Sequence, residues 1–439
     1  MGLIPALCAP GPSFLVMVTG SPVFWWSGVL LYIAGAIIEA FGRSNRRNPS
    51  DEEIEALTNA PFYKWCTWAF VPVYLAGLAI ACFMWTDPAL TAVDRIGLMV
   101  TIGLMGGFAI NVSHELGHQK ASVERWLSKV ATAPSWYAHF YTEHSRGHHT
   151  RVATPEDAVS ARYGESYWHF LQRSIIGEFR FAIGAERERL GRKGKPFLSA
   201  NNDILHGWII SAGLYSALIA IFGWGALPYL LGHAVIAMSF LECVNYVEHY
   251  GLLREQRPDG RYHRPGPQHS WNSTRAVTGL ATFHLQRHSD HHAHPGRRYQ
   301  LLRIEDEAPE LPGGYAQMVL LALVPPLWRR VMDPRVLALY DGDVRRANLT
   351  PKLRARHGHA APVQAARPPR SAARAAAGVD GTVGPRVEPA SRTFEQMAEP
   401  SELTDTVVIR LRDFAPDHLR ETGPINLRAI AALRERDTV

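Results

Sequence analysis

Charge is missing from long stretches of this chain and crowded into others. Residues 1–38 contain no Asp, Glu, Lys or Arg, and neither do residues 65–86, 96–113 and 204–241. Uncharged apolar runs of about 18 or more residues are long enough to cross a bilayer as helices. The run from Ile204 holds two such lengths, with Gly223, Trp224, Gly225 and Pro228 as the turn between them. The segment before Thr19 is broken by Pro5, Pro10 and Pro12, and reads as a full span, a partial span or a loop. The pattern predicts an all-α fold: a polytopic membrane helical bundle of five or six spans. A soluble protein with buried helices is the competing reading, and it leaves the spanning length of several runs unexplained.

Composition and charge refine this picture. The mean hydropathy of the 439 residues is only −0.10, because charged stretches at 114–203 and 250–439 dilute the apolar runs. Arg43, Arg46 and Arg47 follow the second apolar segment, and the positive-inside rule puts that loop in the cytoplasm. Tracing onward places 114–203 and everything after Glu242 on the cytoplasmic side of an inner membrane. No Lys or Arg precedes Arg43, which argues against a cleaved signal peptide. Cys8, Cys66, Cys82 and Cys243 are scattered and suggest neither disulfides nor a thiolate metal site. The net charge of +6 is modest, and no nucleic-acid partner is expected.

The candidate chemistry lies in histidines. "LQRHSDHHAHP" places His288, His291 and His292 at i, i+3 and i+4, on one helix face. "HELGH" pairs His114 with His118 at i, i+4 where the fourth apolar run ends. "HSRGHH" pairs His144 with His148 in the same way, with His149 adjacent, and His249 stands alone in "NYVEHYG" just past the last span. All nine fall on the cytoplasmic side of the traced topology. A lone histidine is ordinarily structural, and His139, His169, His206, His233, His263 and His269 are read so. Nine imidazoles exceed what one ion accepts, so two ions taking four or five each is the natural division. Glu115, Glu143, Asp157, Glu248 and Asp290 sit beside the clusters, and some are expected to accept the outer N–H of a ligating ring. His284 is a candidate for the same outer shell, as is His294, or both are bystanders.

"HELGH" also fits H-E-x-x-H, the zinc-protease signature with Glu115 as base. That reading needs one further ligand and leaves six histidines idle. A metal transporter or store would place its ligands along a path through the spans, whereas these cluster at one face.

"NVSHELGHQK", "YTEHSRGHHTRVATPEDAVSAR", "NYVEHYGLLR" and "HLQRHSDHHAHPGRRYQLLR" together resemble the integral-membrane alkane 1-monooxygenase family of the membrane non-haem diiron desaturases and hydroxylases. The resemblance spans roughly residues 20–350. It implies two Fe ions held by His114, His118, His144, His148, His149, His249, His288, His291 and His292. It also implies hydroxylation of the terminal methyl of n-alkanes with O2, and electrons from rubredoxin and a rubredoxin reductase. Arg146, Arg151, Arg254, Arg287, Arg297 and Arg298 would give an acidic carrier a basic face; they also satisfy the positive-inside rule. The family's "TPEDPAS" reads "TPEDAVS" here, with Ala158 at the proline position. A fatty-acyl desaturase or an aromatic or terpene methyl hydroxylase is the runner-up. Desaturases show H-x-x-H-H in the middle cluster, whereas "HSRGHH" has three residues before the pair.

The expected organisation is a hydroxylase domain over 1–350, an Ala/Arg/Pro-rich disordered linker over 351–392 and a short extension over 393–439. The tail has no cysteine, so it is not a fused rubredoxin. "GLMGGFAIN" on the span leading to His114 is read as close helix packing or as a channel.

Overall fold

The computed structural model describes residues 22–358. The segment before Thr19, most of the expected linker and the whole extension lie outside them. Of the linker, Pro351–His357 forms a short terminal helix. Among the described residues the chain is helical, with β pairing limited to isolated bridges such as Tyr163 with Leu349.

Four helices are long and apolar enough to cross a membrane: α3 (Pro61–Trp85), α4 (Ala92–Gly117), α8 (Asp203–Phe222) and the run Trp224–His249, most of which is α9 (Leu227–His249). They follow α1 (Ser27–Phe41), a shorter apolar helix, and α2 (Asp51–Asn59). The expected five or six spans thus appear as these four plus α1, with nothing described before Pro22. Sequence-encoded stops set their ends. Thr91 and Asp94 form a reciprocal capping box at the start of α4, and the Asn202 carboxamide accepts from the amides of Ile204 and Leu205 at the start of α8. Gly223, at φ 77°, makes the turn into Trp224–His249 that a β-carbon would strain. Ile37, Phe83, Ile209, Ile221 and Leu231 are left exposed on the outside of the bundle, as lipid-facing residues should be.

The innermost contact is α4 against α9, and "GLMGGFAIN" makes it. A β-carbon on Gly103 would sit 2.7 Å from the Ile236 side chain, and one on Gly106 would sit 2.7 Å from Ala237 and 2.8 Å from the His233 ring. Gly107 is closed off by Phe240 in the same way. The stripe is therefore a packing face rather than an open channel. His233, read as structural, accepts or donates a 2.8 Å hydrogen bond with the Tyr74 hydroxyl of α3.

Past the inner ends of α4 and α9 the chain builds a polar cap. Its elements are α5 (Ser122–Thr132), α6 (His139–Glu143), α7 (Tyr167–Gly191), α10 (Ala276–Ala281), α11 (His288–Ala293), α12 (Tyr315–Ala322), α13 (Pro325–Leu339) and α14 (Pro351–His357). The loop after α1 is stitched to it: Asn48 exchanges two hydrogen bonds with the Ile304 backbone, at 2.9 and 2.7 Å, and Arg46 pairs with Glu310 at 2.6 Å.

Replacing Gly106 by Val should lower the detergent melting temperature and the yield of folded protein, because overpacking a close contact costs about 1–3 kcal/mol. Gly213→Ala on α8, where nothing lies within 4 Å, should be neutral. Equal melting temperatures for Gly106→Val and the parent would contradict the packing role.

Candidate metal centre

Every histidine-bearing segment reaches the same place. His114 lies on the last turn of α4 and His118 caps it; His249 ends α9; His288, His291 and His292 lie on α11. The backbone from His144 to His148 is a π-helical turn, followed directly by a helical turn at His149–Arg151.

The nine rings form two groups. Ligand-capable atoms of His114, His118, His144, His149 and His291 lie within 4.8 Å of one another, and those of His148, His249, His288 and His292 form a second such set. This grouping differs from α-helical spacing in a definite way. An i, i+4 reading pairs His144 with His148. In the π turn the matching residue is i+5, so His144 joins His149 and His148 turns to the other set. On α11 the i, i+4 pair His288 and His292 stays together while His291 crosses to the first set, so one helix face serves both.

The ring nitrogens converge. The Nε2 atoms of His144 and His149 are 3.0 Å apart, those of His149 and His291 3.1 Å, those of His288 and His292 3.0 Å, and those of His249 and His288 3.2 Å. Nε2 of His114, His118 and His148 is buried and has no hydrogen-bond partner. Burial, followed by the neighbouring rings, pushes the pKa of His144, His149, His288, His291 and His292 far down, and burial takes that of His118 to about 4. Clustered imidazoles whose ring nitrogens face one another are the donor set a transition metal takes, and the arrangement fits a non-haem metal centre.

Surrounding groups orient the rings. Asp157 accepts from Nδ1 of His148 at 2.9 Å and from the Ser160 hydroxyl at 2.7 Å. Burial alone would raise its pKa; the His148 ring and Ser160 outweigh that and hold it at about 2. Nδ1 of His249 meets the carbonyl of His269 at 3.3 Å, an outer partner invisible in the sequence, since a backbone oxygen has no side-chain signature. Glu248 reaches His288 at 3.3 Å on Nε2, the inner nitrogen, and so faces the centre itself.

The other flanking groups point elsewhere. Glu115 accepts from Gln119 at 3.2 Å and from the Tyr299 amide at 3.4 Å. Glu143 accepts from Arg151 at 3.1 Å. Asp290 binds Arg297 and His294. His284, half-buried at φ 56°, packs its ring against Tyr299, and desolvation lowers its pKa to about 4. Of the six arginines expected on a basic face, Arg146, Arg151, Arg297 and Arg298 are bound in ion pairs, and Arg287 donates to backbone carbonyls. Arg254, nearly buried, donates to the Thr150 carbonyl at 2.7 Å and lines a surface depression with Arg261, Tyr262, His263 and Arg264.

Beside the centre is an apolar cavity of about 240 Å³, lined by α1, α4, α9, α10 and α12. Its wall includes Leu31, Phe108, Phe240, Val244, Ala281 and Val319. Polar wall residues turn their hydroxyls away: Tyr32 donates to the Ala316 carbonyl at 3.2 Å, Thr282 to the Thr278 carbonyl at 2.8 Å, and Thr278 to Glu39. Leu31 is exposed on the lipid side, while the Tyr315 hydroxyl on the wall donates to the Trp271 carbonyl at 3.3 Å. The cavity therefore opens toward the bilayer and is walled by α4 and α9, the helices that end at His114 and His249. Neither sequence spacing nor composition predicted it, because its wall is assembled from five separate helices.

Comparison with known proteins agrees with this architecture. The family model described as "Fatty acid desaturase" matches residues 95–320. The alkane 1-monooxygenase of Acinetobacter baylyi is 43% identical over 348 residues, 79% of this chain and 84% of that protein. The alkane 1-monooxygenase of Pseudomonas putida is 40% identical over 336 residues, covering 76% and 81%. The xylene/toluene monooxygenase hydroxylase component of Pseudomonas putida is 28% identical over 241 residues, covering 53% and 62%. On identity and coverage together, the chain belongs to the alkane 1-monooxygenase family of membrane desaturases and hydroxylases.

Proposed function

We propose that this protein is a membrane alkane 1-monooxygenase that converts the terminal methyl of an n-alkane to a 1-alkanol with O2. The observation that carries this reading is the pairing of two features: nine convergent imidazoles, and an apolar cavity, open toward lipid, walled by the helices α4 and α9 that carry two of them. Alkanes partition into the bilayer, and the cavity offers them an entrance at Leu31 without passage through water.

The division of five and four imidazoles supports two ions, and the resemblance to diiron hydroxylases supports iron in both places. His114, His118, His144, His149 and His291 would hold one ion, and His148, His249, His288 and His292 the other. Bound iron supplies the electron-transfer chemistry that activates O2 toward an unactivated C–H bond. The chain does the rest. Asp157 fixes the His148 tautomer. The apolar wall orients the alkane end-on and keeps water out.

Two electrons per turnover come from a separate rubredoxin, itself reduced by a rubredoxin reductase. The depression at Arg254, Arg261 and Arg264 offers an acidic carrier a basic landing place. Arg254 donates to the carbonyl of Thr150, the residue after His149, so a carrier seated there is one peptide from the first histidine group. The positive-inside rule puts this face in the cytoplasm and the protein in the inner membrane. The protease reading of "HELGH" loses support because Glu115 faces Gln119 and Tyr299 rather than the rings.

Elemental analysis of the purified protein should give two irons per chain, and His288→Ala should lose iron and octane hydroxylation together. One zinc and no iron in the parent would sink the diiron assignment. Asp157→Asn should weaken metal affinity or activity by about 10- to 100-fold, as loss of an outer partner does; unchanged iron retention under chelation would remove Asp157 from that role. Removing residues 359–439 should leave membrane insertion and octane hydroxylation intact; a truncated protein that inserts but makes no octanol would assign the tail a part in catalysis.

A further inference from the structure

Two carboxyl groups outside the histidine cluster have no part in the chemistry above. Glu178 on α7 and Glu242 on α9 are both fully buried. The Tyr137 hydroxyl lies 2.7 Å from Glu178 Oε2 and 2.9 Å from Glu242 Oε1. One hydroxyl thus brings the two carboxyls together. Asn245 donates to Glu242 at 3.0 Å, and the Ser174 hydroxyl also faces it. Glu143 is the remaining charged neighbour. The nearby arginines are committed elsewhere: Arg151 to Glu143, Arg146 to Glu186 and Asp203, Arg173 to Glu165. Among the described residues no Lys or Arg pairs with Glu178 or Glu242.

Counting hydrogens shows what the cluster must contain. A hydroxyl has one proton, and here it faces two carboxyl oxygens. If both carboxyls are ionised, that single proton has to serve two anions. Glu178 Oε1 and Glu242 Oε2 have no other partner. Adjacent buried carboxylates without a cation cannot both stay charged. The pair therefore holds a proton at rest, in the manner of a coupled carboxyl dyad.

The dyad is directed at the metal centre. Glu242, Asn245 and His249 are spaced i, i+3 and i+7, on one face of α9. Seven residues of helix span about 10 Å. The histidines at that end are sealed from solvent; His148 and His249 are fully buried. Yet alkane hydroxylation consumes protons there: RH + O2 + two electrons + two protons gives ROH + H2O. The O–O bond and one C–H bond break, a C–O bond and an O–H bond form, and the second oxygen leaves as water with both protons. The electrons come from the one-electron iron–sulfur carrier.

We propose that Glu178 and Glu242, bridged by Tyr137, form a proton-holding dyad that feeds this reduction and refills from the aqueous side. It discharges once for each of the two protons taken up. The inference rests on the monooxygenase reading.

The test uses the full-length, iron-loaded enzyme in lipid nanodiscs with a rubredoxin and reductase. Infrared spectra of the resting parent at neutral pH should show the C=O stretch of a neutral buried carboxyl, shifted in D2O and lost in Glu178→Gln or Glu242→Gln. In both variants kcat for octane should fall about 100-fold or more, as loss of a positioned proton donor does. KM and iron content should be unchanged, and electrons should be diverted to hydrogen peroxide. Glu178→Asp, which keeps a carboxyl, should recover part of kcat. Tyr137→Phe gives a second reading if a Gln variant fails to fold. A missing infrared band, unchanged kcat and coupling in the Gln variants, or a loss of activity in step with lost iron would each overturn the dyad. If the parent forms no alkanol yet shows the band, the monooxygenase reading fails and the proton-feeding role fails with it, while the shared proton stands.

Discussion

Nine converging imidazoles, seven of them buried, are the constraint on which this fold is arranged. Their inner nitrogens have lost water, and those of His114, His118 and His148 regain no hydrogen bond. The surrounding structure keeps them converged by rigid means. α4 and α9 are locked together through glycines and end at His114, His118 and His249. The cap then encloses the other histidines in ion pairs, with Arg298 on Glu124 at 3.0 Å, Arg297 on Asp290 at 2.6 Å and Arg146 bridging Glu186 and Asp203. These arginines serve as fasteners of the cap.

How much of this the sequence carried differs by feature. The spans were legible because exclusion of charge over spanning length is a local, one-dimensional signal. The candidate ligands were legible because imidazole clusters are rare and repeat helix spacing. Their assignment to two groups was not. It turns on one π turn at His144–His148, where backbone hydrogen bonding shifts register by a residue, and no residue type announces that. The flanking carboxylates were equally ambiguous: Asp157 and Glu248 touch the rings, whereas Glu115 and Asp290, just as near in sequence, bind Gln119 and Arg297. Sequence proximity says which turn a carboxylate is on but not which way it faces. Glu178 and Tyr137 are distant in sequence from every histidine cluster but the middle one, and only tertiary packing joins them to Glu242.

The site also separates its reactants by phase. Hydroxyls of Tyr32, Thr278 and Thr282 are consumed by internal acceptors, so the wall facing the cavity is hydrocarbon although its composition is not. Buried polar groups are gathered instead behind α6, α7 and α9. An apolar approach on one side of the metal centre and a hydrogen-bonded approach on the other let a greasy substrate and protons meet without sharing a route.

The ligand-bearing helices are also the bilayer-spanning ones. α4 and α9 place His114 and His249 within a turn of their inner ends, with no loop between span and ligand to absorb movement. A helix answers a change in hydrocarbon thickness by tilting, at a cost of a fraction of a kcal/mol per Å. Because Gly103, Gly106 and Gly107 hold the two helices in contact, they tilt as a unit, and His114 and His249 are carried together. Bilayer thickness thereby reaches both histidine groups through one rigid pair of helices rather than through two independent ones.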